Sequence, residues 1–164
     1  MKNVFLSLGG NIGNRFKNLA QARDLIAKEV GKIKATSEIY ETKAWGVENQ
    51  PDFLNQVVQI TTTLSPYKVL DKVLAIEHKM GRVREQKWFA RNIDIDVLFY
   101  DQVIIESKNL ILPHPHISNR NFVLGPLKDI APDFIHPVLQ KSIRQLFLDC
   151  TDELSINEYT LRTA

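Results

Sequence analysis

Residues 81–100, GRVREQKWFARNIDIDVLFY, pass from a basic stretch containing Trp88 and Phe89 into a strand-forming run that holds Asp94 and Asp96. Aspartate is depleted in strands, so the pair asks for a reason. Strand side chains alternate, which puts Asp94 and Asp96 on one face and Ile93, Ile95 and Val97 on the other. The aliphatic set packs inward. Two neighbouring carboxylates repel unless a cation lies between them, and oxygen donors of this kind suit Mg²⁺, which leaves its other positions to water and phosphates. A solvated face that merely alternates polar and apolar residues gives the same pattern. The flanking basic stretch tips the balance toward function. Arg82, Arg84, Lys87 and Arg91 stand against the single acid Glu85. Forked guanidinium donors match phosphate oxygens, and an indole face can stack on a base. Carboxylates, metal and arginines together are the parts needed to hold a polyphosphate.

Working outward, NIDIDVLFY reads as the fourth of four strands. NVFLSL (residues 3–8) is the first and ends at Gly9 and Gly10; IKATSEIY is the second and FLNQVVQITTT the third. One helix is predicted from about Asn14 with Phe16, Leu19, Ile26 and Val30 at helical spacing, capped by Gly31. Another starts at Ser65-Pro66, buries Val69, Val73, Ile76 and Met80, and stops at Gly81. The order strand, helix, strand, strand, helix, strand is that of an α+β, ferredoxin-like βαββαβ core: an antiparallel sheet with helices on one face and the other open. Residues 101–164 read as an extension, with a short hairpin around Asp101, a PHPH turn, a helix near Asn119–Ile130 and a looser tail.

Composition bounds the function. The 164 residues carry 21 basic and 19 acidic side chains, too balanced for a protein that coats nucleic acid or an anionic membrane. A single cysteine, Cys150, excludes an intrachain disulfide framework, and no stretch is long and apolar enough for a signal or a span. One cytoplasmic domain, residues 1–164, is the expectation.

On the third strand, Phe53, Asn55 and Val57 share a face, and a ring beside an amide suits a flat heterocycle. Thr42 and Trp45 are expected in the long loop before it, able to close over such a ligand. His114 and His116 sit two apart without a nearby cysteine, which makes zinc a poor reading; His114 or Arg120 meeting phosphate is the better one. Neither glycine-rich nucleotide motif is present.

These residues resemble the 6-hydroxymethyl-7,8-dihydropterin pyrophosphokinase family of folate biosynthesis, which moves a diphosphate from ATP to a pterin alcohol. The resemblance runs from about Val4 to Pro132. It is most specific at Gly81–Arg84 and at W-x-x-R-x-I-D-I-D, Trp88–Asp96. The early GGN, Tyr40–Thr42, Gln50–Asn55, Leu112–Pro115 and Asn119–Phe122 support it. It implies that Asp94 and Asp96 hold two Mg²⁺ with ATP and that Arg82 and Arg91 engage the phosphates, with Arg84 and Trp88 helping to close the loop. Glu77, His114 and Arg120 face ATP. Phe53 and Phe122 sandwich the pterin, with Thr42, Asn55 and Asp94 at its polar edges. It further implies a monomer. The chain departs from the family pattern at Lys43, Phe89, Ala90, Pro115 and His116, none of them a metal or sandwich position. The rivals are a phosphotransferase releasing ADP and a nucleic-acid module stacking bases on Trp88 and Phe89; carboxylates on the binding face argue against the latter.

Overall fold

The computed structural model describes residues 1–43, 51–81 and 92–160. Its elements are β1 (Lys2–Gly10), α1 (Arg15–Glu29), β2 (Lys32–Thr36), β3 (Tyr40–Thr42), β4 (Phe53–Thr62), α2 (Pro66–Lys79), β5 (Asp94–Tyr100), β6 (Ile105–Glu106), β7 (Ile111–Leu112), α3 (Asn121–Ile130), α4 (Ile143–Asp149) and β8 (Asn157–Glu158). The main sheet runs β5-β1-β4-β3-β8, and β2 pairs with the far half of β4. Every pairing in it is antiparallel. Each helical crossover therefore returns two strand positions away, with β4 lying between β1 and β2 and β1 between β4 and β5.

Both long helices begin where the sequence places them. Asn14 Oδ1 accepts the Lys17 N–H, and Ser65 Oγ accepts the Lys68 N–H ahead of Pro66 at the first helical position. Gly81, with φ of +88°, turns the chain out of α2. Leu19, Ala22 and Ile26 of α1 and Val69, Val73 and Ile76 of α2 pack on Val4, Leu6, Leu8, Leu54, Val58 and Ile60. Each of these valine, leucine and isoleucine side chains taken from water contributes roughly 1.5–3 kcal/mol before entropy is set against it.

Several details differ from the sequence reading, five of them in the sheet and its connections. First, β1 continues through Gly9 and Gly10. Second, Gly31 is no left-handed cap, since its φ is not positive. It is there because a Cβ would collide with the Thr61 carbonyl. Third, IKATSEIY is broken at Ser37, whose hydroxyl accepts the Val57 N–H at 2.9 Å and so replaces a backbone rung. Fourth, Asp101 turns the chain with φ of 46°, but the hairpin comes later, between β6 and β7.

The fifth concerns the second sheet face, expected to be open. Val123, Leu124 and Leu127 of α3 and Ile143 and Leu146 of α4 cover Phe5, Val57, Leu98 and Phe99 there. Apolar side chains at these strand positions need a cover, and the C-terminal helices supply it. The pairing of β1 with β5 slips between Phe5 and Leu6, which brings both Leu98 and Phe99 into this second core. Farther along the same face come Ser7, Gly9, Asn55, Asp96 and Asp94. The apolar cover thus gives way to a polar end.

Candidate active site

The polar end is a grid set by strand register. Gly9 pairs with Asn55 on one side and Asp94 on the other; Ser7 pairs likewise with Val57 and Asp96. Asn55 and Asp94 therefore face each other across β1, two strand spacings or about 10 Å apart at their backbones. Gly9 between them has no side chain to fill the gap. A Cβ there would lie 2.9 Å from Asn55 Oδ1, so the amide oxygen already leans over the glycine. Asp94 and Asp96 are both half-buried, while Ile95 and Val97 are buried in the helix-side core. The alternation read from the sequence is the one observed.

Asn55 is held from its other side. It is 5% exposed and donates through Nδ2 to Thr42 Oγ1 at 2.9 Å. Thr42 is not in a loop, as the sequence suggested; it is the last residue of β3, paired with Phe53. Phe53 is half-buried at the start of β4. Its preceding residues are pinned by two groups to which the sequence reading gave no site role. Asn11, 1% exposed, donates from Nδ2 to the Pro51 carbonyl at 3.0 Å. Arg15 donates to the Asp52 carbonyl at 2.8 Å and to Glu41 Oε2 at 2.6 Å. Asn11 belonged to the noted GGN stretch; Arg15 carried no local signal, because its partners lie 26 and 37 residues away.

The turn after β7 brings the third group. His114 donates its backbone N–H to the Leu98 carbonyl at 3.0 Å, which docks the turn on β5. Its Nδ1 accepts the His116 N–H at 3.2 Å, leaving Nε2 to carry the proton of the neutral ring. Burial pushes the His114 imidazole down to about 4; the charges of Arg120 and His116 add to this and Asp94 opposes it. These charged groups therefore share one electrostatic neighbourhood. The Arg120 guanidinium lies 5.6 Å from the centre of the Phe122 ring, joining the residue expected at ATP to the one expected at pterin.

Glu77 occupies a different position. It is 2% exposed on α2, and its Oε2 accepts the Ile95 N–H at 2.7 Å. Strand β5 is the end of the sheet, so this bond satisfies its free edge between the two aspartates. Trp45, Arg82, Arg84, Trp88 and Arg91 lie outside the described residues. Of the expected site residues that are described, Thr42, Phe53, Asn55, Asp94 and Asp96 stand on one sheet grid, and His114, Arg120 and Phe122 belong to the segment from β7 into α3, docked on β5 through His114.

The oxygen donors of Asp94 and Asp96, side by side on a half-buried face, fit a hard divalent cation. Asn55 presents its acceptor oxygen toward the space over Gly9, and Asp94 stands across the strand from it, a pair of residue types suited to a flat ring with N–H donors along its edges.

Comparison with known proteins identifies the family. The profile of the 7,8-dihydro-6-hydroxymethylpterin-pyrophosphokinase family matches residues 5–132. The Aquifex aeolicus 2-amino-4-hydroxy-6-hydroxymethyldihydropteridine pyrophosphokinase is 40% identical over 145 residues, 88% of this chain and 90% of that protein. The Pneumocystis carinii folic acid synthesis protein is 40% identical over 149 residues, which are 91% of this chain but only 20% of that longer protein. Among solved structures, wild-type Plasmodium falciparum HPPK-DHPS superposes with a TM-score of 0.75 at 20% identity, covering 90% of this chain and 44% of that one; this likeness concerns the fold. The profile match spans β1 through α3, which includes every strand of the grid, and the chain belongs to the 7,8-dihydro-6-hydroxymethylpterin-pyrophosphokinase family.

Proposed function

We propose that the polar end of the β4-β1-β5 face is where this pyrophosphokinase of folate synthesis transfers diphosphate from MgATP to the hydroxymethyl group of 6-hydroxymethyl-7,8-dihydropterin. The observation that carries the reading is the row Asn55, Gly9, Asp94, with Asp96 beside it. The gap of about 10 Å between the Asn55 and Asp94 backbones, with only a glycine between them, supports a flat ring lying beside two carboxylates suited to a metal.

In this reading the pterin lies over Gly9 between Phe53 and Phe122, its polar edges met by Asn55, Thr42 and Asp94. Thr42 fixes the direction of the Asn55 amide, so the amide is oriented before substrate arrives. Asp94 and Asp96 hold two Mg²⁺, which supply charge neutralisation on the transferred group. His114 donates through Nε2–H and Arg120 through its guanidinium to ATP phosphates, joined by Arg82, Arg84, Trp88 and Arg91. Glu77 supports the ATP side from below, by fixing the β5 backbone between the aspartates.

The pterin hydroxyl oxygen attacks the β-phosphorus; the bond from that phosphorus to the oxygen bridging it to the α-phosphate breaks, and AMP leaves with the electron pair. The hydroxyl proton passes to solvent. Acceleration comes from positioning and from neutralising charge. The supporting scaffold is a ferredoxin-like βαββαβ core followed by a hairpin and helices, acting as a single cytoplasmic domain and a monomer. Among the described residues no helix is long and apolar enough to cross a membrane.

Manganese tests the metal assignment directly. Nucleotide-dependent Mn²⁺ binding, read by electron paramagnetic resonance, is expected to fall sharply in Asp94→Asn and Asp96→Asn while circular dichroism stays unchanged. Parent-like Mn²⁺ binding in both variants refutes the assignment.

A further inference from the structure

Beyond α4 the chain turns back along α3 to the edge of the sheet at β3. Asp152 Oδ2 accepts the backbone N–H of Asn121 at 2.9 Å, and its Oδ1 accepts that of Leu154 at 3.0 Å. In the opposite sense, Asn121 Nδ2 donates to the carbonyls of Asp152 and Leu154 at 2.7 and 3.3 Å. Ile156 then rests on α3 at Gly125, where a Cβ would collide with its Cδ1. Finally β8 adds a strand beside β3, the strand that ends in Thr42.

Asn121 is the first residue of α3, and Arg120 and Phe122 flank it. A helix start leaves backbone N–H groups without intrahelical partners, and a residue at the N-cap position usually supplies an acceptor. Arg120 holds that position here and its side chain makes no capping bond. Asp152, 32 residues further along the chain, provides the acceptor instead, and its negative charge suits the positive end of the helix. A guanidinium carries only donors and cannot cap a helix start, so the acceptor has to come from elsewhere, and the Arg120 side chain lies over the Phe122 ring instead.

We propose that Asp152 is a positioning residue for the transfer reaction. By clamping Asn121 from the tail, it fixes the direction in which Arg120 and Phe122 leave the first turn of α3 toward the two substrates. Asp152 lies beyond residues 5–132 and so beyond the profile match. The inference rests on the reading that Arg120 and Phe122 meet ATP and pterin.

The test compares Asp152→Ala, Phe122→Ala and Ser142→Ala in the full chain. Ser142 caps α4, away from the clamp, and its loss is a control for destabilisation alone. Asp152→Ala is expected to raise the KM for pterin and for ATP at least about ten-fold each, the low end of what one lost hydrogen bond to a charged group is worth, with a smaller change in kcat. Ser142→Ala is expected to lower the melting temperature and leave both KM values within about two-fold. If Phe122→Ala raises the pterin KM while Asp152→Ala leaves both values within about two-fold, the clamp is wrong and the site stands. If Phe122→Ala leaves pterin KM unchanged, the site reading falls and the clamp falls with it. Should circular dichroism show Asp152→Ala unfolded, Asp152→Asn carries the same test. It keeps the size and one acceptor oxygen, so a smaller KM increase supports the clamp and unchanged KM values overturn it.

Discussion

Adding one methyl group at Gly9 tests the geometry of the sheet grid. The new Cβ would stand 2.9 Å from Asn55 Oδ1, with the Leu54 carbonyl next at a comfortable 3.6 Å. Only the amide obstructs it. Ordinary contact requires the amide to retreat by roughly half an ångström, about the tolerance within which a binding group must be held. That movement strains the 2.9 Å bond to Thr42, a cost of about 1 kcal/mol. Gly9 does not have a positive φ, so alanine there is unstrained, and replacing glycine within a strand returns roughly 0.5–1 kcal/mol. The melting temperature of Gly9→Ala should therefore stay within about 4 °C of the parent. Pterin binding should suffer more, because the methyl fills the floor of the cleft while the amide is displaced. A loss of at least 1.4 kcal/mol, about ten-fold in affinity, is expected. Fluorescence titration of the pterin in the presence of a non-hydrolysable ATP analogue reads this, alongside thermal unfolding by circular dichroism. Pterin affinity within about two-fold of the parent, in a folded variant, refutes the placement of the ring over Gly9.

Thr42→Val keeps the shape of the side chain but leaves the buried Asn55 Nδ2 without that acceptor. A stability loss of about 1–3 kcal/mol and weaker pterin binding should follow, with Thr42→Ser recovering both; urea denaturation and pterin titration check it. His114 is held neutral, down to about 4 against an unfolded value near 6.5, so the sign is set. Above about 6.5 it contributes no pH dependence; between about 6.5 and 4 the unfolded chain takes the proton first and stability falls; below 4 the loss is constant. In His114→Gln the decline from pH 7 to pH 5 should be shallower by up to about 2 kcal/mol, and parallel curves for parent and variant would contradict the cause given. Arg91→Ala should slow diphosphate transfer far more than it weakens pterin binding, as separated by single-turnover kinetics and equilibrium titration; an effect confined to pterin affinity removes Arg91 from the phosphate side.

Local signals were legible in the sequence, and long-range ones were not. Ser65-Pro66 announces α2 because a cap and a preset φ are properties of adjacent residues. The faces of β4 and β5 are likewise readable, since a period of two fixes Phe53 and Asn55 together and Asp94 with Asp96. Gly31 was misread as a cap because its requirement comes from the Thr61 carbonyl, thirty positions away. The break at Ser37 depends on Val57, and the pinning of Asp52 on Arg15. The cover over Phe5 and Phe99 is not legible in the sequence, because a strand position shows that it is apolar without showing what lies on it. The tail after Cys150 had no readable role for the same reason: the contacts of Asp152 with Asn121 exist only once α3 is folded.

The central claim is that this site transfers a diphosphate. Purified protein incubated with MgATP and 6-hydroxymethyl-7,8-dihydropterin should yield AMP, separated by chromatography, in amounts that depend on the pterin and match the pterin diphosphate formed. ADP as the nucleotide product would preserve a metal and nucleotide site but contradict the reaction, and no turnover by folded protein would contradict the account as a whole.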